Sequence, residues 1–254
     1  MSVLACNLAS YGAHRASAYP HLAEIGVRFV ELACPEPNGV ATLQGELGQY
    51  GLSASTLTIP CQMDADDVVI RFAHYLDAAQ EMGVQIVFTS AKTCELNREY
   101  VYGRLQNIGD EAEKRGIVVA LETHPDLVTN GRQGLETMQG VAHPNVRVNF
   151  DTANVYYYNR DVTAEDELAH VVDYVASVHL KDTDGGYESW HFPALGEGVV
   201  NFAACLDRLK DVGYDGPYTL ELEGIQGENF TEDLAKGRVE ASVAYLKEIG
   251  LLAS

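Results

Sequence analysis

Eight short apolar runs, separated by longer stretches of helical periodicity, leave this sequence very few folds to choose from. They are VLACNLA (3–9), VRFVELA (27–33), LSASTLT (52–58), VQIVFTS (84–90), VVALETH (118–124), VRVNFDT (146–152), VASVHLK (175–181) and YTLELEG (218–224). Runs rich in Val, Ile and Leu suit strands buried on both faces, as in a parallel sheet whose crossovers are helices. Glycines stand where the helices need a left-handed cap: in AQEMG before the fourth run, AEKRG before the fifth and KDVG before the eighth. Asp64, Asp66 and Asp67 are expected in the first turn of the third helix, at the positive end of its dipole. Eight such units with no all-β or all-helical block favour a closed barrel over an open doubly wound sheet, and no G-x-G-x-x-G follows any run. The expected fold is α/β, a (β/α)8 TIM barrel forming one domain over residues 1–254. That length is what eight repeats need.

Composition narrows the partners. With 37 acidic against 17 basic residues the formal charge is -20, which repels phosphate backbones and anionic lipid headgroups, so neither nucleic acid nor a membrane surface is expected. Cys6, Cys34, Cys61, Cys94 and Cys205 are scattered, odd in number and without C-x-x-C spacing. They suggest neither a disulfide framework nor a thiolate metal site, and a reducing cytoplasm fits best. The opening MSVLACNLAS lacks a basic n-region and a long apolar core, and no run of 18 apolar residues occurs. Neither export nor membrane insertion is expected. A homo-oligomer is compatible with the sequence.

A barrel places its functional residues at the C-terminal ends of its strands. Runs five to eight all finish on groups that bind a hard or borderline cation: Glu122 in VALETH, Asp151 in NFDTAN, His179 in SVHLKD and Glu221 in TLELEG. Polar side chains inside apolar strands are costly to bury unless paired or bound to a metal. Three carboxylates and one imidazole from adjacent strands suit one divalent ion. Manganese is favoured, with magnesium, cobalt or zinc as alternatives.

These motifs carry a resemblance. The Glu of ALETH, the Asp of FDTAN, the His of VHLKD with Lys181 and Asp182, the segment ALGEGVVNF (194–202) and YDGPYTLELE (214–223) resemble the xylose isomerase-like, or sugar phosphate isomerase/epimerase, superfamily of barrels. The resemblance spans residues 118–224, and the first hundred residues contribute the barrel rhythm. It implies that Glu122, Asp151, His179 and Glu221 hold a catalytic divalent metal, with Glu122 and Glu221 also the acid/base pair. A metal that chelates a ketone oxygen and the neighbouring hydroxyl stabilises the enediolate formed when the α-proton leaves. Two carboxylates can then remove and return the proton, giving epimerisation or isomerisation of a small keto-sugar or inosose.

Other residues surround this set. Glu223 competes with Glu221 because it points to the same face of the strand, but the YDG lead-in favours Glu221. His124 shares the face of Glu122 and could bind a substrate hydroxyl or act as an acid or base, the alternative being a histidine that only orients the loop. Lys181 shares the face of His179 and could hold a substrate oxygen or pair with a carboxylate. Asn154 is a further candidate for substrate binding. It stands where many members of the resembled family carry a histidine, which weakens a reading as an endonuclease IV-type enzyme. His191, in the loop after the seventh run with Trp190, stands near where relatives often carry an arginine, so it could replace an anchoring group. The missing arginine points to an unphosphorylated substrate. Tyr156, Tyr157 and Tyr158 could cover a sugar face or pack the loop, and Glu31 could touch substrate or make a structural hydrogen bond. Two rival functions remain at this level: a lyase that expels a β-substituent from a keto-sugar, inosose or 3-keto glycoside, with His124 as its acid, and a non-catalytic sugar-binding barrel.

Overall fold

The computed structural model describes residues 3–252. Eight parallel strands, β1 (Leu4–Asn7), β2 (Phe29–Ala33), β3 (Ser53–Thr58), β4 (Ile86–Thr89), β5 (Val118–Glu122), β6 (Val146–Asp151), β7 (Val175–Leu180) and β9 (Tyr218–Leu220), close into a barrel. All eight lie within the runs read from the sequence. A small antiparallel pair, β8 (His191–Phe192) with β10 (Gly224–Ile225), was not anticipated and joins the loops after β7 and β9.

Among the described residues nine helices follow the strands: α1 (Ala18–Ile25), α2 (Val40–Gly48), α3 (Val68–Glu81), α4 (Arg98–Glu113), α5 (Gly131–Val141), α6 (Asn154–Tyr158), α7 (Ala164–Val171), α8 (Phe202–Asp211) and α9 (Glu232–Glu248). Their apolar faces (Phe72 and Leu76 of α3, Leu105 and Ile108 of α4, Leu168 of α7) bury against outward strand residues such as Leu57, Val87, Val119 and Val148. Side-chain oxygens of Asn97, Asn130, Thr163, Asn201 and Thr231 cap five of the helices, each cap contributing about 1 kcal/mol. Gly83, Gly116 and Gly213 take φ of 75°, 66° and 72°, the left-handed turns that the sequence placed there. The acidic trio differs from expectation. Asp64, Asp66 and Asp67 precede the helix rather than occupying its first turn, and Asp67 pairs with Arg71 at 3.0 Å.

Two departures matter for function. The run 3–9 stops being a strand at Asn7, where the chain enters a 3-10 segment, Leu8–Ser17, capped by the Asn7 side chain. With β1 ended, β9 loses its neighbour on that side and stops at Leu220, although the run was read to 224. The backbone beyond is tied instead by the Ser10 hydroxyl, which accepts from the Leu222 N–H at 2.9 Å. Glu221 therefore sits just past the strand, not on it.

The barrel interior is unusually polar at its middle. Glu31, Thr56, Asn149, Ser177 and Thr219 are fully or almost fully buried, and unpaired they would cost the fold several kcal/mol. They are paired: Thr56 donates to Glu31, and Ser177 donates to Asn149 at 2.8 Å. This layer underlies the functional end of the barrel. Among the described residues, no helix is long and apolar enough to cross a membrane.

Candidate metal centre and active site

A cavity of about 380 Å³ opens at the C-terminal ends of the strands. Its lining includes Asn7 from the end of β1, Ala33 from β2, Thr58 from β3, Phe88 and Ser90 at the end of β4, and Glu122 from β5. Lys181 and Glu221, just past β7 and β9, complete the ring. Glu122 and Glu221 of that lining and Asp151 and His179 behind it each offer one ligand atom, and these atoms all lie within 4.8 Å of one another. All four residues are buried.

Each is held by its own local structure. Asp151 Oδ1 accepts from the backbone N–H groups of Ala153 (2.8 Å) and Asn154 (2.9 Å), where the chain turns from β6 into α6. Its Oδ2 is thereby aimed inward, where it accepts no well-formed hydrogen bond. His179 Nε2 lies 2.9 Å from Glu31 Oε1. An Nε2–H donated there leaves Nδ1 facing Glu221 Oε2 (3.2 Å), Glu122 Oε1 (3.5 Å) and Asp151 Oδ2 (3.8 Å). Carboxylates commonly orient metal-binding histidines in this way. The ring of Phe88 packs edge-on against His179, centroids 4.9 Å apart. Glu221 Oε1 accepts from Asn7 Nδ2 at 3.1 Å, and Glu122 Oε2 accepts from the Ser90 hydroxyl and lies 3.1 Å from His124 Nδ1.

The donor set fits a divalent cation. His179 Nδ1 is buried without a hydrogen-bond partner, a costly state for a polar atom unless a cation satisfies it. Charge balance agrees. Burial opposes charge on His179, yet the carboxylates of Glu221 and Glu31, then Asp151 and Glu122, hold its pKa well above the ordinary imidazole value. Burial likewise opposes charge on Asp151, but Lys181 and then His179 keep its carboxyl below the usual range. Against burial, His124 and His179 keep Glu122 low as well.

Lys181 is the second organising centre. Though buried, its Nζ lies 2.9 Å from Asp151 Oδ2, 2.7 Å from Glu221 Oε2 and 2.7 Å from Glu223 Oε2. It also donates to Asn154 Oδ1 at 3.2 Å. Burial opposes its charge, but Asp151, Glu221 and Glu223 raise its pKa well above normal. Glu223 thus faces the same side as Glu221 while pairing with Lys181 rather than joining the group of four. Asp182, next along, fastens the loop behind: its carboxylate accepts from the N–H groups of Thr183, Gly196, Gly198 and Val200 at 2.9, 2.9, 2.9 and 3.1 Å. A Cβ at position 198 would lie 2.3 Å from Asp182 Oδ1, so that close approach needs glycine.

The residues read as substrate contacts divide. His124, Asn154 and Lys181 all line the cavity. His191 is not among the lining residues: it lies on β8, opposite Ile225, between Trp190 and Phe192, which both line the cavity. Of the three tyrosines, Tyr157 and Tyr158 line the cavity, while the Tyr156 hydroxyl accepts from the Ala164 N–H at 3.1 Å and serves packing. Glu31 lies beneath His179 and makes the structural hydrogen bonds that were its alternative reading. Asn7, Ser90 and Arg15 were missed. The first two end or follow strands, so the barrel rule could have found them. Arg15 sits in the irregular segment after β1, where no periodicity points to it.

A family model described as the xylose isomerase-like TIM barrel matches residues 20–249. The chain belongs to that family. Among curated proteins it is similar to an Escherichia coli L-ribulose-5-phosphate 3-epimerase, UlaE, 27% identical over 171 residues. That match covers 63% of the chain and 57% of the relative, so the chain spans little more than half the length of the curated relatives it matches. Solved structures of similar fold include a D-allulose 3-epimerase from Methylomonas sp. in complex with D-allulose, with TM-score 0.74, 21% identity and coverage of 97% of this chain and 96% of that one. Another is the IolI protein with a bound zinc atom, with TM-score 0.77, 17% identity and 98% coverage of both chains.

Proposed function

We propose that this chain is a divalent-metal-dependent epimerase or isomerase of a small keto-sugar or cyclitol. The observation that carries the reading is the convergence of Glu122, Asp151, His179 and Glu221 at the cavity, with one ligand atom of each within 4.8 Å of the others. The names of the relatives support it: UlaE is an epimerase of a phosphorylated ketose, and the Methylomonas protein holds a ketose. Glu122, Asp151, His179 and Glu221 hold the ion in this proposal. Manganese fits three carboxylates and one imidazole, and the zinc of IolI keeps that ion as the alternative. When bound, the cation supplies Lewis acidity to a ketone oxygen and its neighbouring hydroxyl.

The chain's own groups do the rest. Glu122 and Glu221 remove and return the α-proton, one from each side of the substrate. His124 offers a donor to a substrate oxygen, and Lys181, held in place by Asn154, balances the charge of Asp151, Glu221 and Glu223. Tyr157, Trp190 and Phe192 cover an apolar sugar face and keep water from it. Since the named relatives that share sequence with the chain are epimerases, the elimination and non-catalytic readings are not carried further.

The test is proton exchange. Manganese-loaded protein incubated with ketoses and inososes in deuterated water should place deuterium beside the carbonyl of at least one of them, read by NMR. Chelation should stop it. Exchange that survives full metal removal, or none with any ketose or inosose, would overturn the proposal.

Metal affinity should also depend on pH. In the metal-free protein the His179 pKa is raised, so the ring is protonated near neutrality and the cation must displace that proton. Affinity should therefore increase with pH, by up to about tenfold per unit, and level off above the raised pKa. Competition against a chromophoric chelator at several pH values measures this; a flat profile would remove His179 from the ligand set.

A further inference from the structure

Among the residues lining the cavity only Lys181 and Arg15 carry a fixed positive charge, and they differ in kind. Lys181 is consumed by Asp151, Glu221 and Glu223. Arg15 is exposed, and its guanidinium has no hydrogen bond, ion pair or aromatic stacking partner among the described residues. In a chain of net charge -20, whose other arginines so often pair with carboxylates or backbone oxygens, an arginine left free in a cavity lining is a vacant recognition group. A guanidinium presents a planar fork that matches a carboxylate or phosphate through two parallel hydrogen bonds.

We infer that Arg15 anchors an anionic group at the end of the substrate remote from the reacting carbons, so that the site takes a keto-sugar or cyclitol bearing a phosphate or carboxylate. This rests on the proposed function for the placement of the reacting end, over Glu122 and Glu221. It reverses the expectation of an uncharged substrate drawn from the missing arginine near position 191: the cation comes from the segment after β1 instead. The acidic surface makes the choice sharper. An anion approaching this chain is repelled by its net charge, and Arg15 offers local compensation in the lining of the cavity that holds Glu122 and Glu221.

The single tryptophan, Trp190, lines the same cavity and is 41% exposed, so its fluorescence reports occupancy without turnover. Glycerol 3-phosphate, glycerate and glycerol serve as probes, titrated into metal-loaded and metal-free protein, each also as the Arg15→Gln variant. At least one anion should bind about 10- to 100-fold more tightly than glycerol in both forms, and Arg15→Gln should bring it to within about twofold of glycerol. Preference for glycerol 3-phosphate assigns the group as a phosphate, and preference for glycerate as a carboxylate. Equal binding of all three, an anion preference that survives Arg15→Gln, or one that vanishes when metal is removed overturns the inference. Because none of these readouts needs catalysis, failure of the proton-exchange experiment leaves this result standing, and the reverse also holds.

Discussion

Glu122→Gln and Glu221→Gln should each lower α-proton exchange by about 100- to 10,000-fold while leaving the metal bound. That corresponds to about 3 to 5.5 kcal/mol of lost transition-state stabilisation. Glutamine keeps an oxygen for the cation but cannot act as a carboxylate base. The order of strands gives the reason for pairing these two. Around the barrel Glu122, Asp151 and His179 lie on β5, β6 and β7 and Glu221 just past β9, so Glu122 and Glu221 stand at the ends of the arc, with Asp151 and His179 between them. A substrate above the arc meets one carboxylate on either side. Each is also braced, Glu122 by Ser90 and His124 and Glu221 by Asn7 and Lys181, so the amide can keep the geometry. Metal content is measured beside each rate. If both variants keep metal and near-normal exchange, the two-glutamate mechanism is wrong and His124 becomes the first candidate for the base. If only Glu221 proves dispensable, Glu223→Gln takes its place in the same assay.

Lys181→Met should destabilise the metal-free protein by about 3–5 kcal/mol, the cost of breaking a buried charge cluster by removing one partner. Methionine fills the space of the stem but leaves Asp151 and Glu221 with only His179 to balance them and Glu223 with no cation beside it. Added metal should recover part of the loss, because it supplies positive charge to the same oxygens and binds only the folded chain. The pH dependence follows from the signs. The Lys181 pKa is raised, so its contribution is complete below the ordinary value of 10.5 and fades only as pH climbs through the higher folded value. Asp151 is lowered, so its contribution is complete above the ordinary 3.8 and fades as pH falls below it. Glu223, beside the same lysine, is raised instead, chiefly by burial. Without Lys181 the clustered carboxylates rise further, so the difference between wild type and variant should be largest from neutrality up to about pH 9 and shrink as pH falls and protons neutralise them. Denaturant unfolding measures it, and a difference below about 1 kcal/mol would show that Lys181 is not what balances the cluster.

The sequence by itself determined the barrel, because eight apolar runs separated by capped helices bury well only as a closed parallel sheet, and all eight strands lie within those runs. It also singled out Glu122, Asp151, His179 and Glu221, since a polar residue ending an apolar strand is conspicuous and a barrel brings such ends together. Three things were decided only in three dimensions. Whether Glu221 or Glu223 joins the group depended on where β9 stops, which is set by β1 turning into a 3-10 segment more than two hundred residues earlier in the chain. His191 and Trp190 are neighbours in sequence, yet Trp190 lines the cavity and His191, paired opposite Ile225, is not among its lining residues. Arg15 and Glu31 carry no local signal of their roles: Arg15 lies in irregular chain, and Glu31 lies in the middle of β2, lower in the barrel than Glu122 and under His179 rather than beside it. Periodicity reports which face a side chain takes within its own element; depth in the barrel and the partner across it come from strand stagger and long-range pairing, which no local window of sequence contains.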